Sequence, residues 1–171
     1  MSQSFIRYEP SKSDHHEMMF SDVEAEYDVI IIGSGPAGLS AAAHAKSLNA
    51  KHLLLESKSY LADTIFKFQK GKHVMAEPSI LPLRSDLEFS AGLREKVLDN
   101  WNSGITKNQV NVAFGKAINY IQRDDQSKAF VVRCDDGSEY TSRAVILGIG
   151  LQGNLRKLGV SGESLPNVQY T

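Results

Sequence analysis

The segment from Asp28 to Glu56 leaves a chain little freedom in what it can become. It opens on Asp28-Val-Ile-Ile-Ile32, a β-branched run bounded by glycine. That is the pattern of a strand buried on both faces of a parallel sheet. Pro36 to about Leu48 is alanine-rich and reads as a helix, closed by Asn49-Ala50. His52-Leu-Leu-Leu55 is a second buried strand, ending at Glu56. Strand, helix and strand within about 30 residues form a βαβ unit, whose crossover is expected to be right-handed.

Between the first strand and the helix lies Gly33-Ser34-Gly35-Pro36-Ala37-Gly38, a GxGxxG sequence. Alone it carries little weight, but here a buried strand precedes it, a helix follows it, and Glu56 stands 18 positions after Gly38. Each glycine has a physical task. Gly33 permits the tight turn, Gly35 lets the backbone approach a pyrophosphate, and Gly38 lets helix and strand pack closely. Pro36 suits the first helical position, where its missing N–H costs nothing. The free donors at the helix start and its dipole favour a negative ligand. Glu56 is expected to accept hydrogen bonds from a ribose and to repel a 2′-phosphate, so NADPH is not expected here. The spacing does not decide between NAD and FAD.

After Glu56 the pattern loosens. Residues 57 to 88 read as irregular, punctuated by Gly71, Pro78 and Pro82. From Phe89 onward Leu93, Val97, Leu98 and Trp101 mark one face of an amphipathic helix, with Trp101 and the Leu93/Val97 stripe in the core. Gln109 to Ala113 reads as a third parallel strand. Ala117 to Gln122, Ala129 to Cys134 and Ser138 to Ser142 are short strands separated by Asp124-Asp125 and Asp135-Asp136-Gly137, which signals an antiparallel meander. Arg143-Ala-Val-Ile-Leu147 returns as a buried strand and runs into Gly148-Ile-Gly150. Residues 1–26, ending in Ser21-Asp-Val-Glu-Ala-Glu26, read as a polar lead-in or linker with a short helix around Glu17 to Phe20.

Composition excludes several classes of function. The 171 residues carry a net charge of -1, which lacks the basic footprint of a nucleic-acid binder. Val29 to Ile32 is far too short to cross a bilayer, and the first ten residues lack a secretory h-region. The single cysteine, Cys134, rules out an internal disulfide framework and a cysteine-rich zinc site, so a reduced, cytoplasmic protein is expected. No metal is expected: His15, His16 and Glu17 lie on a polar segment and read as surface. His44 reads as helix-face packing, Cys134 as a small buried hydrophobe, and His73 and Glu77 as a polar loop. Lys67, Lys70 and Lys72, beside Phe66 and Phe68, read as a solvated loop.

The run Asp28 to Ala43 resembles the FAD fingerprint of the flavoproteins built on two dinucleotide-binding domains, thioredoxin reductase and its pyridine-nucleotide relatives among them. Arg143 to Gly150 is similar to the later strand that such proteins end in Ala-Thr-Gly. The meander and Leu158-Gly-Val-Ser-Gly-Glu163 also match, so the likeness covers about residues 27 to 165. The resemblance implies an α/β fold: a Rossmann-like parallel sheet with flanking helices plus a small three-stranded antiparallel meander. It implies FAD as cofactor, with NAD(P)H as electron donor of a full-length enzyme. Gly33, Ser34, Gly35, Pro36, Ala37 and Gly38 would lie at the pyrophosphate, and Glu56, Ser57 and Lys58 at the adenosine. Ala117 would face the adenine edge, and Gly148 and Gly150 would pass close to the nucleotide. His73 and Glu77 fall where related proteins approach the flavin ring.

Three departures stand against this pattern. Ile149 replaces the usual threonine, Ser59-Tyr-Leu-Ala-Asp-Thr64 replaces a Gly-Gly, and no CxxxxC follows Glu56. The last point excludes a dithiol beside the flavin. The expectation is one incomplete FAD/NAD(P)-binding domain over 27–171, the NAD(P)H domain being absent. It would be the FAD-binding portion of an NAD(P)H-dependent oxidoreductase with no catalytic residue of its own. Its partners would be the dinucleotide, an electron acceptor that the sequence does not identify, and a second copy of the chain or a ferredoxin-like module. The alternative is a nucleotide-binding module without turnover. A free-standing NAD dehydrogenase would need a catalytic base, and none is found.

Overall fold

The computed structural model describes residues 23–76, 87–151, 158–166 and 168. The expected helix near Glu17, the pair His15 and His16, Glu77, Pro78 and Pro82 lie outside them. One six-stranded sheet has the order β5-β2-β1-β8-β7-β6. Its strands are β1 (Tyr27–Ile32), β2 (His52–Leu55), β5 (Val112–Ala113), β6 (Ile118–Arg123), β7 (Phe130–Cys134) and β8 (Glu139–Leu147). β1 pairs in parallel with β2 and β8, and β2 with β5, whereas β6, β7 and β8 are antiparallel. This is the Rossmann-like sheet and meander expected from the sequence.

The apolar runs of β1 and β2 follow from burial on both faces. Ile31 and Leu54 point into a core formed with Leu39, Ala42 and Ala43 of helix α1 (Pro36–Ser47) and with Val97, Leu98 and Trp101 of helix α3 (Arg94–Lys107). On the opposite face Ile30, Ile32, Leu53 and Leu55 pack with Val132 of the meander. The meander therefore replaces a helix as the cover of that face. His52 sits within β2 at 5 % exposure because both ring nitrogens are bonded. The Asn111 N–H donates to Nε2 at 3.1 Å, so Nδ1 carries the proton and donates to the Ala50 carbonyl at 3.0 Å.

Several expected boundaries shift. The stretch 57–88 contains a one-turn helix α2 (Asp63–Phe66) and a strand β3 (His73–Val74), which pairs with β4 (Gly92–Leu93). That pairing delays the long helix to Arg94 instead of Phe89. Leu93, expected in the core, lies at the helix N-cap and is 52 % exposed, while half-buried Phe89 packs against Trp101 at a ring distance of 5.5 Å. The third parallel strand shortens to Val112–Ala113 because residues 109 and 110 are spent ending α3. The last meander strand and the returning strand are one nine-residue strand, β8: its first half pairs with β7 and its second with β1. The end of the lead-in is also packed, with Val23 buried and its carbonyl bonded to Arg143 Nε at 2.9 Å.

Both long helices end in the same way. Asn49 N–H reaches the Lys46 carbonyl and Ala50 N–H the Ala45 carbonyl, with Asn49 at φ 56°. Gln109 N–H and Val110 N–H repeat this on Thr106 and Ile105, with Gln109 at φ 52°. This left-handed residue closing a pair of backbone bonds usually is glycine, and for a glutamine the conformation costs about 1–2 kcal/mol. Gln109→Gly is therefore expected to stabilise the chain by about 0.5–1 kcal/mol, the gain being reduced by the greater freedom of glycine in the unfolded chain. Urea unfolding followed by circular dichroism checks this; an unchanged or lower midpoint contradicts it.

Candidate functional site

β1 has β2 on one side and β8 on the other, so the chain leaves its carboxyl end in one direction and returns to the sheet on the opposite side. A crevice outside the carboxyl ends of the strands at such a point is where open α/β sheets bind ligands. Three segments converge there. Gly33 N–H donates to the Leu55 carbonyl at 2.8 Å, which ties the glycine loop to the end of β2. Gly148 N–H donates to the Ile32 carbonyl at 2.7 Å, which ties the segment after β8 to the same loop.

The glycines of this crevice differ in why they are glycine. Gly33 has φ +95°, and a Cβ there would stand 2.7 Å from the Gly148 carbonyl oxygen. At Gly38 a Cβ would meet the Gly33 carbonyl oxygen at 1.8 Å, so the close approach of α1 to β1 excludes any side chain. Gly148 is the counterpart of that contact, with Gly38 backbone 3.1 Å from where its Cβ would be. Gly35 is different. Its backbone is ordinary, at φ −68° and ψ 177°, and the nearest atom to an added Cβ is the Gly148 oxygen at 3.9 Å. The protein's own packing gives no reason for a glycine at this position. It borders open space at the helix N-cap, where no side chain caps the helix and no acidic residue sits in the first turn. Pro36 and Ala37 are exposed there. Amides at such a start lack intrahelical acceptors and form a site for an anion. The crevice thus offers an uncapped helix start and an open approach to the backbone at Gly35.

Glu56, at the end of β2, is only 5 % exposed and is held from four sides. Its Oε2 accepts the Ser34 N–H at 2.9 Å and the Ser34 hydroxyl at 2.5 Å. Its Oε1 accepts the Lys58 N–H at 2.8 Å and the Ser57 hydroxyl at 3.1 Å. The Ser34 oxygen also accepts the Ala62 N–H at 3.0 Å. Ser34, fully buried, therefore links the glycine loop, the end of β2 and the turn before α2. In the sequence Ser34 stands out only as part of the loop. A hydroxyl between the first two glycines, with an acid at the end of the next strand, was the available signal.

The remaining expected residues fall as follows. Gly115 N–H bonds the Lys58 carbonyl and Lys116 N–H the Glu56 carbonyl, which brings Ala117 beside Glu56 to Lys58. The Ala117 carbonyl itself accepts the Asp135 N–H at 2.8 Å. Gly150, at φ +66°, has open space where a Cβ would go, and Ile149 is 64 % exposed beside it. His73 is exposed in β3, apart from the glycine loop in the second sheet. His44 lies half-buried on α1, its Nδ1 3.4 Å from the Ser47 hydroxyl. Cys134 is buried in β7. Lys67 pairs with Asp63, and Lys72 lies 3.9 Å from the centre of the Phe68 ring. Among the described residues no helix is long and apolar enough to cross a membrane.

Residues 30–171 match the family model described as pyridine nucleotide-disulphide oxidoreductase. The chain is 28 % identical over 143 residues to a ferredoxin–NADP reductase from Ignicoccus hospitalis, covering 84 % of this chain and 43 % of the relative. It is 31 % identical over 145 residues to a thioredoxin reductase from Treponema pallidum, covering 83 % and 40 %. It thus spans less than half the length of these relatives. Among solved structures, the bacillithiol disulfide reductase from Staphylococcus aureus superposes with a TM-score of 0.69 at 23 % identity, over 82 % of this chain and 43 % of that one. The OTEMO complex with FAD and NADP gives 0.66 at 17 % identity, over 82 % and 28 %. At these identities the structural likeness speaks for the fold.

Proposed function

This chain belongs to the pyridine nucleotide-disulphide oxidoreductase family, and on that premise we propose that it is the FAD-binding portion of an NAD(P)H-dependent flavoprotein oxidoreductase. The observation that carries the proposal is Gly35, a glycine that the protein's own packing does not require, at an uncapped helix start. The loop from Gly33 to Gly38 would hold the pyrophosphate through the backbone N–H groups of Gly35, Ala37 and Gly38, since those of Gly33 and Ser34 are bonded to Leu55 and Glu56 and Pro36 has none. Glu56 would hold the adenosine ribose, Ser57 and Lys58 would lie near the adenosine, and the backbone near Ala117 would face the adenine edge. Gly150, with open space where a Cβ would go, and the backbone at Gly148 would lie beside the nucleotide at the end of β8.

When bound, FAD supplies the hydride and electron transfer between a nicotinamide and an acceptor. The chain's own part is to bind and orient. Its glycine loop offers donors to the pyrophosphate, and Glu56 fixes the ribose end and carries the negative charge that excludes a 2′-phosphate. No acid, base or nucleophile of this chain is assigned a catalytic step. The electron acceptor of the whole protein would be a small redox protein of ferredoxin type, a reading supported by the names of its relatives. A cytoplasmic location accords with one buried, unpaired cysteine.

The test is a displacement titration on the whole chain loaded with FAD. ADP is expected to displace FAD. 2′-Phosphoadenosine 5′-diphosphate, which keeps the pyrophosphate of ADP and adds a 2′-phosphate, is expected to be weaker by about tenfold or more, because that phosphate meets the Glu56 carboxylate. Equal displacement by both would contradict this placement of the adenosine.

A further inference from the structure

The four hydrogen bonds to Glu56 use the whole capacity of its carboxylate, which offers about four lone-pair positions. With the residue 5 % exposed, no position remains for a hydroxyl arriving from outside. A ribose hydroxyl can reach this carboxylate only by displacing one of the four donors, and the donors are not equal. Two belong to Ser34, which is fully buried and whose oxygen also holds the Ala62 N–H. Moving either would undo the glycine loop. The third is the backbone N–H of Lys58, a residue fixed from its other side by the bond from Gly115 N–H to the Lys58 carbonyl at 3.0 Å. The fourth is the Ser57 hydroxyl. Its bond is the longest of the four at 3.1 Å, its side chain is exposed, and a single rotation about its Cα–Cβ bond releases it.

We infer that the Ser57 hydroxyl is a placeholder for a ribose hydroxyl: it occupies Glu56 Oε1 in the free protein and swings away when the adenosine end of the dinucleotide docks. The inference rests on the dinucleotide reading above and adds to it the atom that is exchanged. Binding then trades one hydroxyl donor for another at Oε1, and the new bond contributes almost nothing net to affinity. Keeping the carboxylate satisfied in the free protein is what the serine gains, since a buried carboxylate oxygen without its partner is costly.

The consequence has an unusual sign. Removing the Ser57 hydroxyl from the site should tighten binding. Calorimetric titration of the whole chain with FAD and with ADP is expected to show about three- to tenfold higher affinity for Ser57→Ala than for the parent. Ser57→Thr, which keeps the hydroxyl, is expected to match the parent. With 2′,3′-dideoxyadenosine diphosphate, which has no ribose hydroxyl to offer, parent and Ser57→Ala should bind alike. A serine that merely supports the loop gives the opposite sign and no dependence on the sugar. The inference is overturned if Ser57→Ala binds FAD no more tightly than the parent, or if its gain persists with the dideoxy nucleotide. Failure of the parent to bind either FAD or ADP overturns the dinucleotide reading itself, which separates the two failures.

Discussion

Gly38→Ala is expected to unfold the chain or to lower its stability by about 4 kcal/mol or more, beyond the usual range for a tightly packed position. The added methyl carbon would stand 1.8 Å from the Gly33 carbonyl oxygen and 3.0 Å from its carbon. Both are backbone atoms, and Gly33 cannot yield. Its N–H is bonded to Leu55, its φ is +95°, and the Gly148 carbonyl closes it from the other side. Relief requires α1 to move away from β1, which would open the contact of Leu39, Ala42 and Ala43 with Ile31 and Leu54 at the centre of the core. Exposed Ala37, one residue earlier, is the control: Ala37→Gly is expected to cost about 1 kcal/mol or less. Urea unfolding of both variants checks the contrast. A Gly38→Ala chain within about 1 kcal/mol of the parent would contradict the packing described here.

Gly35→Ala is expected to do the reverse, leaving the fold almost untouched and removing the ligand. Its backbone angles are open to any residue, and the nearest atom to the new carbon is at 3.9 Å. Alanine is a poorer N-cap than glycine, so a loss of about 1 kcal/mol or less is expected in unfolding experiments. The new methyl group fills the space through which a pyrophosphate reaches the loop backbone, and FAD affinity is expected to fall about a hundredfold, or about 2.7 kcal/mol. Unfolding and FAD titration of the same sample separate the two effects. An alanine variant that binds FAD as the parent does would remove the observation on which the proposed function stands.

Much of this was legible in the residues. β1, α1 and β2 were readable because apolar residues buried on both strand faces leave unbroken hydrophobic runs, and because glycine, proline and alanine mark the turn and helix. The meander was readable from its Asp-Asp and Asp-Gly turns. Leu93 was misplaced because its spacing fits the helix face of Val97 and Trp101, whereas its backbone is taken by the β3 pairing, a partner 20 residues earlier that helical periodicity does not contain. The fusion of the last meander strand with the central β8 was hidden for a similar reason. Two neighbours, β7 and β1, share one strand end to end, and no turn residue marks the change of partner. At the site, the roles of Gly33 and Gly38 followed from spacing. That Glu56 is saturated by Ser34, Ser57 and Lys58 is a matter of three-dimensional convergence across 22 residues, which spacing cannot express.

On the proposed reading, the crevice at the carboxyl ends of β1, β2 and β8 holds FAD. The visible absorption spectrum of the whole chain, taken after incubation with FAD and desalting, decides whether it does. A retained flavin band stoichiometric with the protein is expected, lost in the folded Gly35→Ala variant. A folded parent chain that leaves the column colourless would contradict it.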